Sequence, residues 1–267
     1  MKLAVSNIAW EIHNDPIALD MLRKYGVQGI EIAPTKIWPF WKGASYEKAK
    51  QYKKFMQDEG FQIPSIQAIL FDKPQLQVFN LDCHNEFFKH IQLIAELANG
   101  FGSKVIVFGA PRNRKRGQLG FNESIDIASN FFFKAGEICI KHDCSMCIEH
   151  NPAEYNCDFI TNALDAKYLV DRVNHKGFKL HIDSAGIHMC GGGGSRVIRE
   201  IGGFEHYHIS EPMLKPIHTG CVDHLSYLKN LNDVDYKGWV SIEMKETASL
   251  EILEQSLKHV HKMLQVI

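Results

Sequence analysis

The feature that most constrains the fold is an alternation of short β-rich runs and helical segments along all 267 residues. The eight β-rich runs are predicted to be strands, and they lie at residues 2–9, 27–33, 62–70, 104–109, 145–150, 178–183, 205–210 and 239–244. Each is followed by a segment with the apolar spacing of a helix, and these lie at residues 16–25, 46–59, 85–99, 124–142, 157–173, 195–201, 222–231 and 247–266. Repeated βα units form a parallel sheet with right-handed crossovers, which predicts an α/β protein.

Eight βα units close most simply into a barrel, so the sequence predicts a single (β/α)8 TIM barrel domain over residues 1–267. A doubly wound open sheet is the alternative, but no G-x-G-x-x-G follows the first predicted strand. No linker or break in composition indicates a second domain. The segment 35–45, rich in Trp and Pro, is predicted to be a loop that either walls the catalytic pocket or packs on the barrel rim.

Composition and charge exclude several classes of partner. Thirty basic residues against thirty-one acidic ones give a net charge of −1, without the basic excess that nucleic-acid binding favours. No apolar run approaches the roughly 20 residues that span a bilayer. The seven cysteines form no visible disulfide framework, as is typical of a reducing compartment. We therefore expect a cytoplasmic protein that binds a small molecule, without nucleic acid or membrane, and a homo-oligomer remains open.

Four side chains of metal-ligand type lie at or near the carboxyl ends of four successive predicted strands, and they are Glu149, Asp183, His208 and Glu243. TIM barrels carry their chemistry at this end, so the four are expected to meet at one rim. Three carboxylates in a closed mouth require a counter-charge, which one divalent cation supplies. The oxygen-rich set favours Mn²⁺, Mg²⁺ or Co²⁺, and Zn²⁺ is also compatible. The alternative is that each acid separately caps a helix or pairs with a lysine.

Two histidines lie one layer deeper on the same predicted strands. His181 and His206 each precede a predicted ligand by two residues and share its inward face. They either orient the carboxylates or are core histidines held by hydrogen bonds.

Further polar residues near the same rim are candidates for binding a substrate. Asn151 shares the face of Glu149, and Glu31 ends the second predicted strand. Arg112 begins the basic stretch RNRKR after strand four, which suits a phosphate or a sugar acid, although a solvated basic loop is the alternative. The glycines at 191–194 either present backbone N–H groups to an anion or form a plain connector.

At these residues the sequence resembles the xylose isomerase-like TIM barrel superfamily over its whole length, the sugar phosphate isomerase/epimerase group. SNIAWE and GIEIAPTKIWP resemble a bacterial branch of that group. HIDSAGIHM, HYHISEPMLKPIHTGCVDHLSYL and YKGWVSIEM are similar to the ketose 3-epimerases. Those enzymes hold their metal with Glu, Asp, His and Glu at the ends of strands five to eight, a pattern that carries over to Glu149, Asp183, His208 and Glu243.

The resemblance also implies contacts to the substrate. A histidine shortly after the aspartate contacts substrate in the ketose 3-epimerases, and His188 matches it at a longer spacing than usual. Glu211 falls in the stretch after the metal histidine that lines the site. Where the epimerases usually carry an arginine after strand seven, Lys215 is the nearest basic residue. From their positions, Lys215 and Lys245 either bind an anionic group of the substrate or are local charge partners, Lys215 of Glu211 and Lys245 of Glu246 or the metal carboxylates.

The implied function is that of a divalent-metal-dependent isomerase or epimerase of a sugar or sugar phosphate. Glu149 and Glu243 are the implied acid–base pair, which transfers a carbon-bound proton through a metal-stabilised enediolate. An inosose-type dehydratase or lyase on the same metal site is the alternative. Remoter alternatives are an apurinic-site endonuclease, which needs three zinc ions and further ligands, and a non-catalytic sugar-binding barrel.

Overall fold

The computed structural model describes residues 1–191 and 194–267, and its centre is an eight-stranded parallel sheet. The strands are β1 Lys2–Ser6, β2 Gly29–Glu31, β3 Ser65–Ile66, β4 Val105–Phe108, β5 Ser145–Glu149, β6 Phe178–Asp183, β7 His206–Ser210 and β8 Trp239–Glu243. They run side by side in the order β2-β1-β8-β7-β6-β5-β4-β3. Two parallel bridges, Gly29 to Gln62 and Ile32 to Ile66, join β2 to the β3 segment and close the sheet. The predicted TIM barrel is therefore confirmed.

Ten helices in the described residues connect and surround the strands. They are α1 Asp15–Lys24, α2 Pro34–Ile37, α3 Tyr46–Asp58, α4 His84–Phe101, α5 Phe121–Lys141, α6 Ala163–Val173, α7 Ser184–Met189, α8 Val197–Ile201, α9 His224–Asp233 and α10 Leu250–Leu264. Side chains fix several boundaries: the Asn162 amide oxygen accepts from the Asp165 N–H and starts α6, six residues after the predicted start. No helix among the described residues is long and apolar enough to cross a membrane.

The apolar core lies mainly between the strands and the helices. Phe132 of α5 stacks on Phe178 of β6 with ring centroids 4.6 Å apart, and it meets Phe108 of β4 edge-on at 5.1 Å. Inside the barrel, a separate small cluster contains Val105, Val107 and Cys147. The outward faces of the strands thus supply most of the packing, and the inward faces toward the carboxyl end are left for polar side chains.

The aromatic segment after β2 packs on the rim. Trp38 stacks on Phe101 at 5.7 Å between ring centroids, and the Trp41 indole N–H donates to the Phe71 carbonyl at 2.9 Å. Phe40 alone among these aromatics is largely exposed, and none of the three lines a described cavity above the strands. The rim-packing alternative therefore describes this segment.

Candidate metal centre

The four predicted ligands meet at the carboxyl end of the barrel. One ligand atom from each side chain lies within 4.8 Å of the others, and the four residues are Glu149, Asp183, His208 and Glu243. The parallel register produces this meeting, because Asp183 of β6 lies opposite His208 of β7 and Ser210 of β7 lies opposite Glu243 of β8. The side chains are buried or nearly so, and this set could hold a metal ion.

Crowding of charge shifts the pKa values of this cluster. Burial, with the charges of Glu149 and Glu243, raises the pKa of Asp183 to about 7. Burial also raises the pKa of Glu243. Although burial alone would lower the pKa of His208, Glu31 and Glu243 raise it well above its usual value. The four groups thus attract positive charge, whether as protons or as a cation.

The orientation of His208 tests whether a metal fits. Its Nε2 lies 3.0 Å from Oε1 of Glu31, so Nδ1 is turned upward to within 3.4 Å of Glu149 Oε1 and 3.3 Å of Glu243 Oε2. Nδ1 is buried and makes no hydrogen bond of acceptable geometry. A ring nitrogen without a hydrogen bond that faces two carboxylates is the donor arrangement that a divalent cation requires.

The carboxylate of Asp183 is held by short contacts. Its Oδ1 accepts the Gly186 N–H at 2.5 Å, which starts α7, and its Oδ2 accepts from the Ser210 hydroxyl. Ser210 lies two residues after His208 on the inward face of β7, a parity signal that was available in the sequence. Both oxygens of Asp183 are therefore fixed in place.

Glu149 is accommodated by a small residue and oriented by an amide. A Cβ at Gly109 would lie 2.4 Å from Glu149 Oε2, so the chain after β4 approaches this carboxylate as only glycine allows. The Asn151 amide donates to the same oxygen at 3.2 Å and accepts from Arg114 at 2.9 Å. Below the carboxylate, His181 Nε2 lies 3.3 Å from Glu149 Oε1.

Two adjoining cavities of about 430 and 300 Å³ open above the cluster, and both are lined by Pro111, Glu149 and Glu243. The larger cavity is otherwise lined by polar and apolar side chains, which are Asn151, Tyr155, Asp183, Ser210, Met213, Leu214 and Lys245. The smaller one is otherwise lined by residues 67–71, Val107, 109–110, Arg112 and Asn113. The two glutamates are thus reached from both cavities.

Tyr155 is a site residue that the sequence did not reveal. It lies on the loop after β5, lines the larger cavity, and accepts the Met213 N–H at 3.0 Å. Burial raises the pKa of Tyr155 to about 12, so the phenol keeps its proton and can donate it in a hydrogen bond. No motif marks this tyrosine, since only the folding of the loop brings it over the strand ends.

The structure places two of the predicted substrate contacts away from the cleft. Glu31 is fully buried beneath the cluster, and its oxygens accept hydrogen bonds from the surrounding barrel side chains, so no substrate reaches it. Glu211 is 1% exposed and accepts from the Cys221 N–H at 2.9 Å and from His224 Nε2 at 2.8 Å. Glu211 therefore anchors the chain between β7 and α9, and it does not line the cleft.

The remaining predicted contacts lie at different distances from the cleft. Arg112 is exposed and lines the smaller cavity, whereas Arg114 is buried and donates to the Phe108 carbonyl. His188 and Lys215 are exposed and line neither cavity; His188 Nε2 lies 3.4 Å from the Cys221 thiol. Part of the predicted anion-binding glycine run, residues 192–193, lies outside the described residues.

Comparisons with known proteins agree with the fold. The family model "Xylose isomerase-like TIM barrel" matches residues 19–263. D-psicose 3-epimerase with D-tagatose from Clostridium cellulolyticum H10 superposes with a TM-score of 0.78 at 14% identity, covering 100% of this chain and 98% of that one. The probable 3-DHS dehydratase AsbF from Bacillus anthracis has a TM-score of 0.75 at 17% identity, with 97% and 98% covered. The IolI protein with a bound zinc atom has a TM-score of 0.73 at 18% identity, with 99% and 96% covered. No curated protein matches the sequence significantly.

Proposed function

The chain belongs to the xylose isomerase-like TIM barrel family, and from that membership we propose that it is an enzyme that isomerises or epimerises a small sugar or sugar phosphate with one divalent metal ion. The observation that carries the proposal is the cluster of Glu149, Asp183, His208 and Glu243 at the floor of an open cleft. The oxygen-rich donor set favours Mn²⁺, Mg²⁺ or Co²⁺ and is compatible with Zn²⁺. The epimerase and the zinc protein of the same fold support this choice.

The roles of the three carboxylates follow from which of their oxygens are already held by hydrogen bonds. The bound metal would supply positive charge that polarises a substrate carbonyl and its neighbouring hydroxyl. Asp183 has both oxygens in hydrogen bonds to Gly186 and Ser210, so it holds its position and does not move protons. Glu149 and Glu243 line both cavities from β5 and β8, and they are the groups placed to remove a proton from carbon and return it. Return to the opposite face gives epimerisation, and transfer to the next carbon gives isomerisation.

The rim favours an anionic substrate, such as a sugar phosphate or a sugar acid. Lys245 lines the larger cavity and Arg112 the smaller one, and neither forms an ion pair within residues 1–191 and 194–267. The acids expected to neutralise the lysines have other partners: Glu246 pairs with Lys36 at 2.7 Å, and Glu211 is bound by His224. Lys245 and Arg112 are thus free to meet an anion, and Lys215 is a more distant candidate.

An endonuclease is poorly supported. A three-zinc site needs further ligands around β2 to β4, but the only other group of possible ligands found in the described part of the chain is His181, His206 and His208. His208 already belongs to the proposed single-metal cluster, and His181 and His206 are fully buried beneath it.

The test is a metal-dependence assay in D₂O. Metal-free protein, with and without added Mn²⁺, is incubated with a panel of ketoses, ketose phosphates and inososes, and the products are read by NMR. We expect Mn²⁺-dependent formation of an epimer or isomer that carries deuterium at the reacting carbon. A dehydrated product would favour the lyase alternative. Protein that retains no divalent metal in any preparation and gains no activity from it would overturn the proposal.

A further inference from the structure

We propose that Glu31 is a positioning residue that fixes the His208 ring for the metal, an inference that rests on the proposed metal centre. Glu31 ends β2 on the opposite side of the barrel from the ligand strands, and its side chain has no exposed surface. Its two oxygens lie 3.0 and 3.1 Å from His208 Nε2. The carboxylate therefore meets the edge of the ring that faces away from the cleft.

The chemistry of this contact selects one tautomer of His208. An ionised carboxylate only accepts hydrogen bonds, so the ring donates through Nε2–H, and Nδ1 is the nitrogen that offers its lone pair once a metal displaces the second proton. Nδ1 is the atom that faces Glu149 and Glu243. A ring rotated by half a turn would place a carbon against Glu31 and lose the hydrogen bond. Glu31 thus sets both the tautomer and the orientation that a metal ligand needs.

Glu31 is itself held in place by donors from other strands. The Ser65 hydroxyl of β3 donates to Oε2 at 2.6 Å, the Gln67 amide donates to Oε1 at 3.0 Å, and His206 Nε2 of β7 lies 2.8 Å from Oε2. Buried ions need such partners, because an unpaired charge in a barrel interior is costly. A carboxylate held by several donors has little freedom to move, so the position of Glu31 fixes the position of the His208 ring that it contacts.

A second metal ion in this layer is the competing explanation. His181, His206 and His208 could hold one by distance alone. However, the Nε2 atoms of His206 and His208 already lie 2.8 and 3.0 Å from Glu31, at hydrogen-bond distance, so both nitrogens already have a partner. A second ion would compete with Glu31 for the same nitrogens. The side of this layer that faces Glu31 is therefore already satisfied by hydrogen bonds.

The molecule contains a matched control pair. Glu211 and His224 form the same buried carboxylate–imidazole contact at 2.8 Å, and neither touches any of the four proposed metal ligands in the described hydrogen bonds. Glu31→Gln and Glu211→Gln both remove one buried negative charge from a histidine at nearly constant volume. An amide at position 31 also turns donors toward His206 or His208, so at least one ring loses its acceptor.

The experiment is calorimetric titration of Mn²⁺ into metal-free wild type, Glu31→Gln and Glu211→Gln, with thermal unfolding of each metal-free form. We expect one ion per wild-type chain, binding about 10–100-fold weaker in Glu31→Gln, and binding close to wild type in Glu211→Gln. Histidine ¹⁵N spectra of the Zn²⁺-loaded protein should show an Nε2–H tautomer for His208 in wild type and its loss or weakening in Glu31→Gln. If Glu31→Gln does not fold, Ser65→Ala, which removes one donor to Glu31, should show a smaller loss in the same direction.

Each outcome separates this inference from the proposed function. Wild-type affinity in Glu31→Gln, or in Ser65→Ala where that variant is used, would overturn the positioning role and leave the metal centre intact. Two ions bound per wild-type chain would show that the deeper histidines bind metal instead, and would overturn the positioning role. Wild type that binds no divalent ion would overturn both the inference and the metal-dependent function.

Discussion

The two halves of the barrel rim differ in regularity and in what they contribute. Strands β5 to β8 have five or six residues each and carry all four proposed ligands at or near their ends. Strands β2 and β3 have only three and two residues, and the chain beyond β3 forms a wall of the smaller cavity. Regular strands hold functional side chains in a more precise geometry than loops do. Short strands leave more of the chain to form loops, and here those loops form a pocket wall. The second half of the rim thus carries the proposed ligands, and the first half supplies a wall of the smaller cavity.

The largest expected effect is a loss of turnover, and it tests the role of the second half of the rim. Glu149→Gln removes a carboxylate that lines both cavities, and losing a positioned acid or base costs about 10²–10⁴-fold in turnover. The measurement is kcat together with deuterium exchange into the substrate. Glu154→Gln, an exposed glutamate on the loop that follows β5, is the control. Near-normal turnover by Glu149→Gln would mean that this residue is not a proton carrier.

The next prediction tests whether the chain after β4, in the first half of the rim, determines the position of the Glu149 carboxylate in the second half. In Gly109→Ala the new methyl would lie 2.4 Å from Glu149 Oε2, so the carboxylate must move. Displacement of about 1 Å can cost about 10²-fold in rate, and overpacking costs about 1–3 kcal/mol of unfolding free energy. Gly120→Ala is the control, because no atom lies within 4 Å of its Cβ position. Equal losses of kcat in the two variants would contradict the close-approach argument.

The third prediction concerns the charge of the substrate. Each half of the rim carries a basic side chain that lines a cavity, Lys245 after β8 and Arg112 after β4. Lys245→Ala should raise KM for a ketose phosphate about tenfold and leave KM for the free ketose unchanged, because a hydrogen bond to a charged group contributes about 1.5–3 kcal/mol before solvent screening. Lys215→Ala should have a smaller effect, since Lys215 lines neither cavity. Equal KM values for phosphate and free sugar in wild type would indicate a neutral substrate.

The smallest expected effect concerns stability rather than activity. Although burial alone would raise the pKa of Glu211, His224 and the Cys221 N–H lower it. A lowered folded-state pKa stabilises the protein above the unfolded-state pKa, and this contribution disappears as pH falls through the folded-state value. Glu211→Gln should therefore lower Tm at neutral pH, and its Tm should approach that of wild type as pH falls below the folded-state pKa of Glu211. A Tm difference that does not depend on pH would show that the carboxylate charge is not responsible.

The sequence was sufficient for the barrel and for the meeting of the four ligands. Both follow from the βα repeat, because parallel strands in register bring their carboxyl ends to one edge. The depth of a strand end was harder to predict. Glu31 and Glu149 are each the last residue of a strand and both side chains point into the barrel. Glu31, however, lies one layer deeper than the four proposed ligands. The stagger of all eight strands sets that depth, and no local pattern records it.

Backbone turns at the rim were also beyond prediction. Ala68 after β3 and Ala110 after β4 both adopt left-handed conformations, with φ of 53° and 41°, and both line the smaller cavity. Left-handed backbone is normally signalled by Gly or Asn, and alanine gives no such signal. The predicted strand 62–70 consequently ends at Ile66 in the structure.

The dual attachment of Asp183 couples the cleft to a neighbouring helix. One oxygen starts α7 by accepting the Gly186 N–H and the other accepts from Ser210, while the carboxylate belongs to the cluster of proposed ligands. α7 has six residues, so this single amide bond is a large share of what secures its first turn. Loading of the cluster would draw charge from the carboxylate and alter protection of the Gly186 amide against solvent exchange. Solvent exchange of that amide would therefore report occupancy of the proposed site without any substrate.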